Sequence, residues 1–145
     1  MIACERWRDN WRVVAGDGAL RVELPRSRRG WGTLVERVRR LPAGAPVVVA
    51  ADGRGAARRC RAFAAESGIV PERTYVAIPS ADAPAYLVED APAALRAFLR
   101  VVVPPPGRTL RSRLAEPCLA ALRALDVGRP LRALARSRVL VARRA

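Results

Sequence analysis

Histidine, lysine and glutamine are absent from this 145-residue chain, and every one of its 27 basic residues is arginine. Each absence removes chemistry. Without imidazole there is no histidine to move protons near neutral pH or to bind a metal. Without lysine there is no Schiff base and no ammonium for a phosphate loop. A serine, cysteine or carboxylate nucleophile would have to act without a histidine beside it. The three cysteines, Cys4, Cys60 and Cys118, are few, odd in number and far apart. That spacing fits neither a zinc site nor a disulfide framework, so no metal is expected, and a reducing cytoplasmic location is the simplest expectation. The first twelve residues carry Glu5, Arg6, Arg8, Asp9 and Arg12, with no apolar stretch of the kind a signal peptide needs. No run approaches the roughly 18 apolar residues of a membrane span, so no membrane role is expected.

What the chain has in excess is arginine. Only 13 acids oppose the 27 arginines, and the formal charge is +14. Abundant Ala, Arg, Val, Gly and Pro with no Lys suggest a GC-rich genome, which accounts for part of this excess. The rest attracts polyanions and acidic proteins. It is concentrated late in the chain: residues 91–145 hold 12 Arg and 2 acids, whereas residues 1–90 hold 15 Arg and 11 acids.

Periodicity supplies an α/β order of elements. Residues 11–25 read as a β-hairpin turning at Gly16-Asp17-Gly18, because Leu20, Val22 and Leu24 alternate with Arg21 and Glu23. Residues 26–30 form a basic loop. Trp31, Leu34, Val35, Val38 and Leu41 make one helical stripe, closed by Pro42 and Gly44. Val47–Ala51 is a continuous apolar run, the mark of a strand covered on both faces. A helix over 54–67 ends at Gly68. Strands are expected at Thr74–Ile78 and Tyr86–Val88, with a loop over 79–84 between them. A helix over 91–102 carries Leu95, Phe98 and Leu99 on one face. Pro104–Gly107 reads as a stiff linker, a helix follows from Pro117 to Gly128, and Val139–Val141 reads as a last strand. Two regions are expected: an α/β unit over 1–90, and a basic helical segment over 91–145 packed on it.

Two sets of residues are candidate sites. Gly53, Arg54 and Gly55 follow the buried strand and precede a helix that carries Arg58, Arg59 and Arg61. Open α/β sheets bind anions at such a place, where glycine admits a phosphate and arginine pairs with it. An ordinary tight turn and a solvated helix face fit the same residues, and Arg58 stands where a dinucleotide fingerprint has its third glycine. The second set is the C-terminal arginines, above all Arg108, Arg111, Arg113 and Arg123. After Phe98 no aromatic residue remains to stack bases, so an acidic protein or peptide suits them better than nucleic acid. Cys118, just after Pro117, reads as a small core thiol. Asp82, Glu89 and Asp90 read as loop solvation or as internal partners of arginine.

Leu20–Leu24, Thr33–Leu41, the turn Leu41-Pro-Ala-Gly-Ala-Pro before Val47-Val-Val-Ala, Ser67-Gly-Ile and Tyr75-Val-Ala-Ile-Pro-Ser80 together resemble the C-terminal half of a class I S-adenosylmethionine-dependent methyltransferase. The resemblance implies a truncated Rossmann-like, mixed sheet with flanking helices and a late β-hairpin. The family's acidic-x-Gly-x-Gly-x-Gly cofactor element has no counterpart here, so no cofactor is expected and no catalytic residue is carried over. Residues 73–141, with Pro104–Gly107 and Val139–Val141 among them, are also similar to a region preceding the aminoglycoside-phosphotransferase-like kinase domain of actinobacterial natural-product enzymes. The kinase's own motifs are missing. Together these imply a non-catalytic accessory subunit in natural-product, including ribosomal-peptide, biosynthesis. Its partner would be a kinase-like or other biosynthetic enzyme, or an acidic precursor peptide. The alternatives are a minimal S-adenosylmethionine-dependent or anion-handling transferase built on Asp52–Arg54, and a nucleic-acid-binding module. A half-sheet leaves an edge around residues 11–25 or 73–88, so a homodimer is a further expectation.

Overall fold

The structure is a computed structural model. It describes residues 7–102 and 135–145, together with the single positions 117, 120, 121 and 132. These fall into two compact units. One runs to Leu87 and resumes at Ala135, and the other lies within residues 88–134.

The first unit is built on a mixed sheet. Its elements are α1 (Arg12–Ala15), β1 (Leu20–Leu24), α2 (Trp31–Arg39), β2 (Pro46–Asp52), α3 (Ala56–Ser67) and β3 (Ile69–Ile78). Strand β4 (Tyr86–Glu89) leads into the second unit, where α4 (Pro92–Val101) lies, and β5 (Ser137–Arg144) returns at the end of the chain. The five strands are ordered β1-β2-β5-β3-β4. Strands β1 and β2 are parallel, with Leu20 level with Val47 and Leu24 with Ala51. Strand β5 runs antiparallel to β2 on one side and to β3 on the other. The chain is therefore mixed α/β with flanking helices.

The reading of Val47–Ala51 as a strand covered on both faces holds, and all five residues are buried. Val47, Val49 and Ala51 join Leu140 and Ala142 of β5 under α2 and α3, where Trp31, Val38 and Phe63 complete one core. Val48 and Ala50 join Val139, Val141, Tyr75 and Trp11 in a second core on the opposite face. Burying each such Val or Leu contributes about 1.5–3 kcal/mol. A register shift between Pro71 and Arg73 changes which face the odd-numbered residues of β3 occupy. Ile69 consequently belongs to the first core, and Tyr75 and Ala77 to the second. Helix α3 ends as expected at Gly68, whose φ of +68° suits a residue without a Cβ and whose N–H donates to the Ala64 carbonyl.

Three expectations need correction. Residues 11–25 do not form a hairpin. Residues 12–15 are helical, and the Gly16 N–H donates to the Arg12 carbonyl at 2.7 Å. The alternation of Leu20, Val22 and Leu24 does mark a strand, but its partner is β2, in parallel, across the α2 connection. The strand at 74–78 begins earlier, at Ile69, because β5 supplies a long antiparallel partner from Arg144 back to Arg138. Residues 91–145 do not stay together as a helical segment either. Val139–Val141 are part of an eight-residue strand at the centre of the sheet, with neighbours on both sides.

In the second unit, α4 begins with Pro92 in its first turn and buries Leu95 and Leu99. Arg132 Nε donates to Asp90 Oδ1 at 2.8 Å. The expected linker at 104–107 lies outside the described residues, as does most of the helix expected over 117–128. Pro117, Ala120 and Ala121 are helical and exposed.

Candidate anion-binding turn and basic helical face

The carboxyl ends of β1 and β2 and the start of β5 meet along one edge of the sheet, because Ala51 is level with both Leu24 and Arg138. The turn Asp52–Gly55 occupies this edge and leads into α3. Gly53 and Gly55 have φ of +91° and +74°, in the left-handed region that favours glycine. Gly55 is the residue that precedes the first turn of α3, and no side chain caps that helix.

Arginine and aspartate side chains hold the turn in shape. Arg59, one turn into α3, reaches back so that Nη1 donates to the Arg54 carbonyl at 2.7 Å and Nη2 to the Asp52 carbonyl. The Asp52 carboxylate accepts the Ala81 N–H at 2.9 Å, which ties the end of β2 to the loop after β3. The Arg26 guanidinium lies against Gly53, and a Cβ placed there would meet its Nε at 3.4 Å. Arg138 is buried and donates to the Ala135 and Ser137 carbonyls at 2.9 and 3.1 Å. Arg59 and Asp52 thus have fixed structural work. Arg54 and Arg58 are exposed and form no ion pair among the described residues. The structure brings Gly53, Arg54, Gly55 and Arg58 together as expected, and it adds Arg26 to them.

The arginines of this turn continue onto the helices. Arg26, Arg28 and Arg29 of the loop before α2, Arg37 of α2, Arg40 just after it, and Arg54, Arg58 and Arg61 at α3 are all exposed. None of these eight makes an ion pair among the described residues. Arg28 stacks over the Trp31 ring at 5.2 Å, and Arg39 pairs with Glu36 at 3.5 Å. Charges on the other face of the sheet behave differently. Arg21 pairs with Glu23 at 2.8 Å and with Asp82 at 3.2 Å, and Arg12 with Asp9 at 3.6 Å. Asp82 and Asp90 therefore do serve as internal partners of arginine, the latter through Arg132.

The basic face was only partly visible in the sequence. Residues 26–66 hold ten Arg and three acids, while the rest of the first 90 holds five Arg and eight acids. Averaging over 1–90 hid this contrast. A count taken segment by segment would have found Arg26, Arg28 and Arg29.

Cys60 lies on the buried side of α3, against Val49, and burial pushes its thiol up to about 12 despite the nearby guanidinium groups of Arg59, Arg138 and Arg61. A protonated, inaccessible thiol is a packing group and not a nucleophile. Among the described residues no three Cys, Asp or Glu side chains gather as a metal site requires, and no helix is long and apolar enough to cross a membrane. Arg108, Arg111, Arg113, Arg123 and Cys118 lie outside the described residues.

No family model matches the chain, and no match is found among curated proteins or solved structures. What the fold and the site define is a class: a mixed α/β chain whose described residues form a five-stranded sheet, one face of it covered by helices that expose arginines unpaired among those residues.

Proposed function

We propose that the chain is a non-catalytic accessory protein that docks an acidic protein or peptide on its basic helical face. The observation that carries this reading is the set of eight exposed arginines without a carboxylate partner among the described residues, on a sheet whose other face carries the paired Arg12, Arg21 and Asp82. A surface with this much unneutralised charge raises the association rate of an anionic partner and selects against cationic ones. At Gly53, Arg54, Gly55 and Arg58 a carboxylate or phosphate of the partner meets the start of α3, whose N-terminus no side chain caps. Arg108, Arg111, Arg113 and Arg123 extend the same charge in the sequence.

The methyltransferase-like half-fold belongs to this proposal. Its support is the parallel β1–α2–β2 unit, which lies within residues 20–80 that carry the resemblance. The resemblance directs the choice of partner to a kinase-like biosynthetic enzyme or an acidic precursor peptide of a natural-product pathway. A cytoplasmic location is part of the same reading.

The test is a titration of the purified protein with a labelled Asp/Glu-rich peptide, and with duplex and single-stranded DNA and RNA, at physiological salt. Peptide binding that weakens as salt rises, with no submicromolar binding to nucleic acid, is the expected result. Submicromolar nucleic-acid binding with a steep salt slope replaces this reading with a nucleic-acid module. One-site micromolar binding of S-adenosylmethionine by calorimetry replaces it with the transferase.

A further inference from the structure

Strand β1 is an edge of the sheet, with β2 on one side and no strand on the other among the described residues. Free strand edges pair with other chains unless something prevents it. The sequence of this edge is Leu20-Arg21-Val22-Glu23-Leu24, and its order of residue types is nearly the same read in either direction. We propose that two copies of the chain join antiparallel through β1, about a two-fold axis at Val22, to give a continuous ten-stranded sheet.

The pattern of this strand selects one register. With Val22 opposite Val22 of the second copy, Leu20 meets Leu24, and Arg21 meets Glu23 on both sides of the axis. Each face of the sheet then continues across the junction. Val22 and Leu24 belong to the core under α2 and α3. Arg21 and Glu23 lie on the opposite face, where they already pair with each other at 2.8 Å. A slip of one residue would turn charges into the apolar face. A slip of two residues brings Glu23 against Glu23, or Arg21 against Arg21. Opposite charges directly across a strand pair attract, and like charges there repel. The interface is isologous, so the same patch serves both copies and the assembly closes at two. Each copy carries +14, but at physiological salt the screening length is about 8 Å, which leaves the strand pairs at contact and damps the distant charges. This association does not depend on the acidic partner proposed above, since α2 and α3 lie on a face and β1 lies at an edge.

The test is sedimentation velocity of the full chain over a concentration series, with native mass spectrometry of mixtures. A concentration-dependent dimer is expected. Glu23→Arg sets arginine against Arg21 at both pairs and should weaken the dimer by roughly tenfold or more. Arg21→Glu sets glutamate against Glu23 and should do the same. An equimolar mixture of the two variants restores opposite charges at both pairs, so heterodimers should form where neither variant self-associates. Arg21 also holds Asp82, so Arg21→Glu can fail to fold. In that event Glu23→Arg and Glu23→Gln decide, since the Glu23 side chain is 62% exposed. A wild-type monomer at about 100 μM, a dimer indifferent to Glu23→Arg, or folded variants that do not form heterodimers would each overturn the proposal.

Discussion

Helices α2 and α3 cover one face of the sheet with apolar residues inside and arginines outside, whereas α1 and the loop 79–85 cover the other with residues whose charges meet partners. Beneath both coverings the sheet is similarly apolar, because β2 and β5 alternate Val, Ala and Leu between the two cores. The contrast is therefore in the outer surface and not in the packing. It teaches that stability and charge display are separable here. Exposed charges contribute little to folding, so a face can hold eight arginines unpaired among the described residues without loss of the core beneath it. On the other side Arg21 fastens the N-terminal turn to Asp82, its Nη1 donating to the Arg8 carbonyl, and lies 5.8 Å from the Trp11 ring centre.

The largest effect is expected from emptying the helical side of the core. Phe63 is fully buried and meets the Trp31 ring edge-on with centroids 5.7 Å apart. Phe63→Ala should cost about 3–5 kcal/mol in urea unfolding, and a cost below about 1 kcal/mol would contradict the packing described. The next effect is on binding. Reversing Arg54, Arg58 and Arg61 to Glu should weaken an acidic peptide by roughly tenfold or more, mostly through slower association, with melting changed little. The same reversal at Arg12, on the paired face, should leave peptide binding unchanged. Stopped-flow kinetics of both variants would show whether the two faces differ as proposed.

Cys60 sharpens the comparison through pH. Its folded thiol is pushed up to about 12, above the usual range, so the folded state holds the proton more tightly than the unfolded chain does. That contribution is fully present below about pH 8.5, the ordinary thiol value, and is lost as pH rises toward about 12. Unfolding free energy should therefore fall above about pH 8.5, by at most about 1.4 kcal/mol per pH unit from this group. Cys60→Ala should flatten that slope in denaturant titrations between pH 7 and 10.5. An unchanged slope would show that Cys60 is not its source. The smallest effect belongs to the exposed pair Arg12–Asp9, where Asp9→Asn should change stability by less than about 0.5 kcal/mol. A larger loss in thermal melts would mean that the pair anchors α1.

How far the sequence was legible depended on whether a signal was local. Val47–Ala51 read correctly because an unbroken apolar run of that length is what burial on two faces requires. The stripe from Trp31 to Val38 and the stop at Gly68 read correctly for equally local reasons, a 3.6-residue period and a left-handed glycine. The alternation in Leu20–Leu24 revealed a strand but not its neighbour. A nearby Gly16-Asp17-Gly18 turn suggested a hairpin, yet residues 12–15 coil, and Trp11 packs in the second core. The turn proposed to meet an anion was legible as Gly53, Arg54, Gly55 and Arg58. Arg26 was not, since it reaches Gly53 from the loop before α2, far away along the chain.

The excess of arginine, the loss of histidine and lysine chemistry, and the elements β1, β2, α2 and α3 were fixed by local sequence. These follow from composition and from periods that repeat within a dozen residues. Tertiary structure alone decided that β5 enters between β2 and β3, and that the arginines of 26–61 collect on one face. Val139-Leu140-Val141 is a short apolar run that would suit an edge or a centre. Its place is fixed by the antiparallel ladders that two distant strands offer it, from Pro46 to Asp52 and from Ile69 to Val76. Burial of both its faces against residues far away along the chain is a long-range energy, and no local pattern encodes it.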